Sequence, residues 1–332
     1  MDRPTIAITM GDAAGIGPEL IVKLLSGEEA HRICQPLVVG DLAVMETIGR
    51  VLGSDLQFRC ISDPSQAQSA PPVVDVFCPP GLEVPPDAWG TLDPQMGEAA
   101  AACLRAAFDL AGQGRVEGVL LAPMNKEAFH LAGYDYLDEL VYLNEWTHSD
   151  ETYMMGVIRD RVWTVAVTEH VPFRAIADLI VRDRVARYIG YMHKALKRMG
   201  LQEPRIAVAA LNVHAGEGGL FGREEIDDIG PAIEDARAAG IDARGPVPAD
   251  AVFGPALGGA YDGVVCMYHD QANIPRKLQP VHERSTLYMG LPVVCGTTTH
   301  GTAFDIAGKG IAEVGGLATA LRHVVALVGG DL

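Results

Sequence analysis

Three histidines in this sequence occupy positions suited to metal chemistry. His170, His214 and His269 each follow an apolar, β-prone run of the length expected for a buried strand. Imidazole nitrogens suit Zn²⁺ and related divalent metals, and three such ligands leave coordination positions open for a substrate. A single histidine after a strand is more often a core or surface residue, so the interpretation requires the three strands to converge. On that condition we predict one divalent metal held by these histidines.

The strand before His269 indicates how such a site would be positioned. Residues 263–267 are apolar, and the chain then turns abruptly polar at Tyr268, His269, Asp270 and Gln271. In an open α/β sheet the carboxyl ends of the strands line the ligand crevice, so polar groups placed there are candidates for chemistry. We therefore count Asp270 among the candidate catalytic residues.

A further candidate follows the first predicted strand, residues 5–10. Glycines at positions 11, 15 and 17 permit a tight loop, and a helix pattern continues from there to residue 25. The loop is not a dinucleotide-binding fingerprint, because the third glycine of that motif would fall on Leu20. We expect a strand–loop–helix in which the carboxylate of Asp12 faces a ligand cleft, and we count Asp12 as a candidate catalytic residue.

A later strand pattern ends in threonines and in His300-Gly301-Thr302. Backbone amides freed by Gly301, together with the Thr302 hydroxyl, could hold the phosphate or ribose of a nucleotide. The alternative is a simple strand-to-helix turn, with a helical turn over residues 303–306. The motif is therefore a candidate nucleotide-binding loop, and other parts of the sequence are needed to decide between the two interpretations.

Strand and helix patterns alternate along the chain, which is typical of an α/β protein. Two strand patterns, 153–158 and 162–167, are close enough to form an antiparallel hairpin. A long helix is predicted over 175–199 and a final one over 317–328. Residues 134–150 are acidic and aromatic, and we expect this segment to cover the cleft.

Length and charge restrict the possible functions. At 332 residues the chain is long for one core, so two domains are expected. The net charge of −17 disfavours nucleic acid and anionic membranes as partners, because both need clustered Lys and Arg. The N-terminus lacks the layout of a signal peptide. The six scattered cysteines form no Cys-x-x-Cys pair, which favours reduced thiols and a cytoplasmic location.

Five motifs run nearly from end to end of the chain: Gly11-Asp-x-x-Gly-Ile-Gly-Pro-Glu19, Ala122-Pro-x-Asn-Lys126, His214-Ala-Gly-Glu-Gly-Gly219, Tyr268-His-Asp-Gln271 and His300-Gly-Thr-Ala303. With them the sequence resembles the 4-hydroxythreonine-4-phosphate dehydrogenase (PdxA) family. The resemblance implies an α/β fold with two α/β/α domains astride a cleft, as in isocitrate and isopropylmalate dehydrogenases. It places residues 1–127 and 280–332 in a first domain with the nucleotide loop. Residues 128–279 would form a second domain with the metal ligands and dimer contacts.

The resemblance also assigns roles to residues. The family's metal-binding histidines fall on His170, His214 and His269, with Zn²⁺ expected first and Co²⁺, Mn²⁺ or Mg²⁺ as alternatives. Lys277 matches the family's substrate-contacting lysine, which could pair with a carboxylate or donate a proton. A homodimer is implied, with active sites that take ligands from both subunits.

The stretch 300–310 further resembles the adenosine-binding loop of isopropylmalate and isocitrate dehydrogenases. That likeness makes His300, Gly301, Thr302 and Asp305 the expected cofactor-binding residues. Asp305 occupies the position at which these enzymes place an acid on the ribose hydroxyls. A carboxylate there would repel a 2′-phosphate, so we expect NAD rather than NADP.

The implied reaction is an NAD-dependent oxidation of a secondary alcohol β to a carboxylate, followed by loss of CO₂. A metal chelated by the substrate's hydroxyl and carboxylate oxygens would lower the pKa of the hydroxyl, and NAD would take the hydride. The alternative from another class is a ligand- or metal-binding protein without turnover. The intact motifs argue against that alternative.

The chain departs from the family at several substrate-binding positions. Where the family has Gly-His-Thr-Glu, this sequence has Asp138-Glu-Leu-Val141, and the family's Asn and Arg align with Thr286 and Cys295. Losing a His and an Arg while gaining a carboxylate removes cations that a phosphate needs. The expected substrate-binding residues are Glu139, Leu140, Lys277, Thr286 and Cys295.

These departures predict an unphosphorylated β-hydroxy carboxylate, for example a carboxylated cis-dihydrodiol, as the substrate. Arg276, Arg284 or His282 could rebuild a phosphate site from a shifted loop. For that reason 4-phosphohydroxythreonine or a four-carbon sugar-acid phosphate remains the alternative.

Overall fold

The structure, a computed structural model, describes residues 3–67, 70–136 and 138–329. The chain divides into two compact units. Unit one runs from the N-terminal region to Tyr153 and resumes at Ser285–Gly329, whereas unit two is the continuous stretch Met154–Arg284. Unit one is therefore assembled from both ends of the chain.

Helices and strands alternate through most of the chain. The strands are β1 (Thr5–Thr9), β2 (Gln35–Val39), β3 (Gln57–Ile61), β4 (Val73–Phe77), β5 (Gly118–Leu121), β6 (Tyr153–Ile158), β7 (Val162–Thr168), β8 (Arg205–Ala209), β9 (Asp242–Val247), β10 (Gly263–Tyr268), β11 (Thr286–Met289) and β12 (Val294–Thr297). The helices are α1 (Gly17–Ser26), α2 (Glu28–Ile33), α3 (Leu42–Val51), α4 (Pro94–Gly112), α5 (Lys126–Leu131), α6 (Glu139–Thr147), α7 (Ile176–Leu179), α8 (Arg182–Arg198), α9 (Gly230–Ala238), α10 (Phe253–Leu257), α11 (His269–Lys277) and α12 (Gly315–Gly329). The predicted α/β class is confirmed. In the described part of the chain, no helix combines the length and apolar character needed to cross a membrane.

The strands of unit one lie in the order β3-β4-β2-β1-β5-β12-β11. They are parallel except for β11, which runs antiparallel to β12. Thr9 pairs with both Val39 and Leu121, and Leu121 pairs with Thr297. Because these residues end their strands, the loops after β1, β5 and β12 leave from the same edge of the sheet. Those loops carry Asp12 and the predicted nucleotide loop.

The strands of unit two lie in the order β6-β7-β10-β8-β9. Strands β6 and β7 form the predicted antiparallel hairpin, with Gly156 opposite Thr164. Strands β7, β10, β8 and β9 are parallel. The segments that leave the carboxyl ends of β7, β10 and β8 therefore start from one edge, and each of them carries one of the three predicted metal-binding histidines.

The boundary between the units differs from the predicted one at residue 127, because residues 128–153 belong to unit one. The ring of Phe129 stacks on Tyr134 with centroids 4.5 Å apart and meets Tyr142 edge-on at 5.2 Å. Arg105 of α4 donates hydrogen bonds to the hydroxyls of both tyrosines, at 2.6 and 3.2 Å. The segment expected to cover a cleft thus forms helix α6 and packs its aromatic side chains within unit one.

The single helix predicted over 175–199 is wrong, because α7 ends at Leu179 and α8 begins at Arg182. The backbone of Val181 between them is extended. Asp228 accepts a hydrogen bond from the amide of Arg182 at 3.0 Å. This carboxylate, distant in sequence, satisfies an amide of the first turn of α8 and so fixes the helix start.

Candidate active site

Strands β7 and β10 bring two of the predicted histidines together in unit two. The strands are neighbours, and Thr168 pairs with Tyr268 at their carboxyl ends. His170 follows β7 by two residues, and His269 is the first residue of α11. The centroids of the two imidazole rings are 5.9 Å apart. Two of the three strand-end histidines therefore lie at one point of the sheet edge.

A carboxylate joins these two imidazoles. Glu169, His170 and His269 each offer one ligand atom, and these atoms lie within 4.8 Å of one another. Two imidazole nitrogens and a carboxylate oxygen form a donor set that Zn²⁺ and other first-row divalent metals accept. Glu169 is not among the ligands predicted from the sequence, although its position between β7 and His170 is a usable signal.

His214 is not part of this group of ligand atoms. Strand β8 ends at Ala209, so the predicted strand that runs directly into His214 is wrong. The His214 side chain is 65% exposed, and its Nδ1 lies 3.6 Å from a carboxylate oxygen of Glu217. His214 is therefore presented to the surface rather than to the other two histidines.

The backbone around His214 forms a left-handed turn. The φ angles of His214, Ala215, Gly216, Glu217 and Gly218 are 51, 54, 76, 44 and 66°. Left-handed backbone costs an ordinary L-residue about 1–2 kcal/mol. Three of these five residues are not glycine, so contacts elsewhere must hold the turn.

Glu225 provides such contacts just before the turn. Its carboxylate accepts hydrogen bonds from the amides of Leu211 at 2.9 Å and Asn212 at 2.7 Å, and from the Asn212 side chain at 2.9 Å. Glu225 is buried and begins a short π-helical turn, Glu225–Ile229. Turns of this type occur often at functional sites. Glu225 therefore fixes the point at which the chain enters the His214 turn.

Asp270 contacts the ring of His269. Oδ1 of Asp270 lies 2.8 Å from Nδ1 of His269. A carboxylate on one ring nitrogen sets the tautomer and leaves the other nitrogen, Nε2, to face a ligand. Gln271 anchors the same turn, since it accepts from the amide of Met267 at 2.8 Å and donates to the carbonyl of Ala210 at 2.9 Å. In this geometry Asp270 orients the His269 ring and sets its tautomer.

Lys277 and His269 line one open pocket of about 320 Å³ on unit two. A neighbouring pocket of about 530 Å³ is lined by His214, Asp270 and the apolar Phe253, among others. Asp270 and Ile274 line both pockets. The predicted substrate-contacting lysine thus lies exposed beside one of the grouped histidines.

In unit one Asp12 is fully buried, so the prediction that it faces a cleft is wrong. The loop packs against the segment that follows β5, with the Asp12 amide donating to the carbonyl of Pro123 at 2.9 Å. Oδ1 accepts from the Ala14 amide at 2.8 Å, while Oδ2 has no hydrogen-bond partner among the residues that the structure describes. Burial raises the pKa of Asp12 to about 6; the Ala14 hydrogen bond opposes this rise and the Asp93 carboxylate adds to it.

The predicted nucleotide loop packs against the start of α1. The carbonyl of Thr302 accepts a hydrogen bond from the amide of Ile16 at 3.0 Å, and Asn125 approaches the Thr302 hydroxyl at 3.5 Å. Residues 303–306 form a turn rather than the start of a helix, and Ala303 has a φ of 44°. Gly301 and Asp305 are exposed, and Nδ1 of His300 lies 2.9 Å from the Gly301 carbonyl.

Four of the predicted substrate-binding residues lie in unit one, and none of these four side chains carries a positive charge. Leu140, Thr286 and Cys295 are buried. Glu139 accepts a hydrogen bond from the hydroxyl of Tyr288 at 2.7 Å, a partner that the sequence analysis missed. Tyr288 lies directly opposite Cys295 in the β11–β12 pair. Lys277, the fifth predicted residue, belongs to unit two.

The motifs on these loops agree with a direct match to one protein family. The family model described as "Pyridoxal phosphate biosynthetic protein PdxA" matches residues 32–324. The chain belongs to the PdxA family. This confirms the resemblance inferred from the sequence motifs.

Relatives of this PdxA member are similar over their whole length. The D-threonate 4-phosphate dehydrogenase of Salmonella typhimurium is 40% identical over 328 residues, which cover 98% of this chain and 100% of that protein. A crystal structure of 4-hydroxythreonine-4-phosphate dehydrogenase from Klebsiella pneumoniae has a TM-score of 0.85 and 37% identity, and covers 98% of both chains. A crystal structure of a terephthalate 1,2-cis-dihydrodiol dehydrogenase from Burkholderia xenovorans LB400 has a TM-score of 0.66 and 29% identity over 99% of both chains. As predicted, this PdxA member is an oxidoreductase of the dehydrogenase class.

Proposed function

We propose that this protein oxidises a hydroxyl group β to a carboxylate, with NAD and a divalent metal, and that loss of CO₂ follows. The observation that carries the proposal is the grouping of Glu169, His170 and His269 at a strand edge of unit two, within a PdxA-family dehydrogenase. A carboxylate and two imidazoles in a binding protein would not by themselves indicate turnover. The family membership does.

His170 and His269 would hold the metal, with Zn²⁺ as the first expectation and Co²⁺, Mn²⁺ or Mg²⁺ as alternatives. Their nitrogens, with an oxygen of Glu169, fit such an ion in type and spacing. A bound divalent cation supplies Lewis acidity toward the hydroxyl and carboxylate oxygens of a substrate, and NAD supplies the hydride acceptor. Asp270 would keep His269 in the required tautomer.

Lys277 would contribute a cation and a proton donor. Its exposed ammonium group lines the pocket that His269 also lines. There it can pair with the substrate carboxylate that the metal does not fully neutralise. It can also return a proton to the carbon that loses CO₂.

The third histidine, His214, would reach the metal from a second copy of the chain. Its side chain is 65% exposed and lies outside the protomer's own ligand group. Apolar neighbours are exposed with it: Val213 at 60%, Leu220 at 72% and Phe221 at 48%. Exposed apolar side chains clustered in one loop favour a protein interface. We therefore propose a homodimer with active sites shared between subunits.

The proposed substrate is an unphosphorylated β-hydroxy carboxylate such as a carboxylated cis-dihydrodiol. Glu139 already accepts the Tyr288 hydroxyl, and Leu140, Thr286 and Cys295 offer no positive charge. Each charged hydrogen bond that a phosphate loses costs about 1.5–3 kcal/mol. One solved relative, the Burkholderia xenovorans enzyme, carries the name of a dihydrodiol dehydrogenase.

A phosphorylated four-carbon acid is the second candidate. The Salmonella typhimurium relative, 40% identical, is named for D-threonate 4-phosphate. Arg276 and Arg284 of unit two would have to supply the missing charge. The Arg276 guanidinium donates to Asn273, and that of Arg284 donates to the carbonyl of Lys277 at 2.9 Å. Each contact uses one of the five N–H donors of a guanidinium, so neither contact by itself excludes a phosphate.

Steady-state turnover separates these candidates. The protein, loaded with Zn²⁺ or Mn²⁺, is assayed by NADH absorbance with D-threonate 4-phosphate, 4-phosphohydroxythreonine and a carboxylated cis-dihydrodiol. We expect the dihydrodiol to be turned over and the phosphates to be poor substrates. A kcat/KM of about 10⁴ M⁻¹s⁻¹ or more for either phosphate would replace the first candidate by the second. Absence of NADH formation with all substrates and metals would contradict the dehydrogenase proposal itself.

A further inference from the structure

Helix α1 holds the backbone that follows the nucleotide loop. Glu19, in the first turn of the helix, is only 1% exposed. One of its carboxylate oxygens accepts from the amide of Ala312 at 2.7 Å, and the other accepts from the amide of Gly310 at 3.2 Å. A buried carboxylate is tolerated only with such partners. Glu19 therefore fixes two alternate amides of one segment.

Lys23, one turn further along α1, binds the carbonyls of the same two residues. Its ammonium nitrogen donates to Glu19 at 2.8 Å, to the Gly310 carbonyl at 2.9 Å and to the Ala312 carbonyl at 2.7 Å. These three acceptors use the three hydrogens of the ammonium group. The amides and carbonyls of Gly310 and Ala312 are thus all bound by two side chains of α1.

The upstream end of this segment is attached to α1 as well. The amide of Ile16, just before the helix, donates to the carbonyl of Thr302 at 3.0 Å. A Cβ added at Gly15 would lie 3.0 Å from the Cβ of Thr302, so a side chain at position 15 would crowd this approach. Between the two attachment points, residues 303–309 form turns that present the exposed Asp305. Helix α1 therefore supports the nucleotide loop at both ends.

We propose that Glu19 and Lys23 are positioning residues for the cofactor. By fixing residues 310–312, they set the backbone that carries Asp305 and so its orientation toward the ribose of NAD. The inference rests on the proposed function, because it takes the nucleotide loop to hold NAD. Neither side chain has to touch the cofactor. Their loss should weaken NAD binding while the grouped histidines of unit two remain intact.

The test compares the full-length variants Glu19→Gln and Lys23→Met with the wild type in two measurements. Hydrogen exchange of the cofactor-free protein, read on peptides covering residues 306–314, reports the order of the segment. Fluorescence titration reports NADH affinity. We expect exchange at Gly310 and Ala312 to accelerate, the Kd for NADH and the KM for NAD to rise about tenfold, and kcat to change little.

Two further variants serve as controls. Lys23→Arg keeps a cation and should recover part of the NADH affinity. Glu234→Gln removes the same charge from an exposed helical pair with Arg237 in unit two and should change neither measurement. Should Glu19→Gln fail to fold, Lys23→Met still tests the inference because it keeps the buried carboxylate.

Unchanged exchange in both variants would overturn the inference and leave the proposed function intact. Faster exchange with unchanged NADH affinity would also overturn it, since the two side chains would then order the segment without positioning the cofactor. Failure of the proposed function looks different: the wild-type protein itself would not bind NADH. In that case the inference fails with it, whatever the exchange rates are.

Discussion

Tyr288 donates its hydroxyl hydrogen to Glu139 at 2.7 Å, which links β11 to the first turn of α6 within unit one. Burial and the adjacent Glu139 carboxylate hold the pKa of Tyr288 well above its ordinary value. The phenol therefore stays protonated as the donor of this hydrogen bond, and its acceptor Glu139 occupies the position that the sequence resemblance aligns with a histidine of the family. An incoming phosphate would meet repulsion there instead of a hydrogen-bond donor.

Introducing the family's residues at positions 139 and 140 should increase activity on a phosphorylated substrate. We expect Glu139→His combined with Leu140→Thr to raise kcat/KM for D-threonate 4-phosphate by about tenfold, the value of one charged hydrogen bond. Tyr288→Phe is the matched control, because it removes the Tyr288–Glu139 hydrogen bond without adding a donor for phosphate. An equal rise of kcat/KM in Tyr288→Phe would show that this hydrogen bond, and not the missing histidine, limits phosphate binding.

The grouped histidines should control metal content. His170→Ala and His269→Ala are each expected to lower bound Zn²⁺ to a small fraction of wild type and to abolish turnover, because each removes one of few ligands. Elemental analysis of the purified variants measures this directly. His130→Ala, a change at an exposed histidine of unit one, should leave the metal content unchanged. Full metal occupancy in His269→Ala would contradict the site.

A site shared between two copies makes a quantitative prediction for mixed subunits. His214→Ala and His269→Ala should each be inactive alone. After random exchange of subunits, half of the dimers are mixed and each mixed dimer regains one of its two sites, so about a quarter of wild-type activity should return. Native mass spectrometry confirms that exchange has occurred. Mixed dimers without activity, or a fully active monomer, would refute the shared site.

Cofactor preference should depend on Asp305. We expect kcat/KM to favour NAD over NADP by about tenfold or more, because an exposed carboxylate repels a 2′-phosphate. Asp305→Asn should lower the ratio of kcat/KM for NAD to kcat/KM for NADP, mainly by raising the value for NADP. Glu83→Gln removes an exposed carboxylate from the same unit and should leave the ratio as it was. Equal efficiency of both cofactors in the wild type would argue against this role.

The buried carboxyl of Asp12 should make stability depend on pH. Because burial raises its pKa from 3.8 to about 6, the folded state binds the proton more tightly than the unfolded state. Stability from this group is therefore complete below about pH 4, declines as the pH rises toward 6, and by pH 7 has fallen by up to about 3 kcal/mol. Asp12→Asn should then stabilise the protein by clearly more at pH 7.5 than at pH 4.5, and least below pH 4, as measured by urea unfolding. Asp55→Asn, an exposed change in the same unit, should show no such difference.

The sequence predicted those features that depend on local patterns. The β6–β7 hairpin follows from two short apolar runs, and His170 and His269 follow from the polar residues that end β7 and β10. It failed where a distant carboxylate decides the backbone. Asp228 starts α8 through the amide of Arg182, and no pattern within residues 175–199 contains that contact.

The same limit applies to His214. Its apolar pattern predicts a strand that continues to His214, but Glu225 binds the amides of Leu211 and Asn212 and directs the chain into the left-handed turn. The sequence places Asp12 in an acidic loop between a strand and a helix, which predicts a cleft-facing side chain. Gly11 and Gly17 instead let this loop approach residues 122 and 123 closely, and Asp12 is buried. Burial and left-handed geometry are tertiary properties, so periodicity could not reveal them.

The insertion of β12 between β5 and β11 has a consequence for synthesis on the ribosome. The chain of unit two, a continuous stretch, has been fully synthesised as soon as Arg284 has left the exit tunnel. Unit one cannot complete its sheet at that time, because β11 and β12, which extend the sheet from the edge of β5, are synthesised last. Until then that edge offers unpaired backbone groups to other chains. A nascent or C-terminally truncated protein would therefore lack the last strands of unit one and expose an aggregation-prone strand edge.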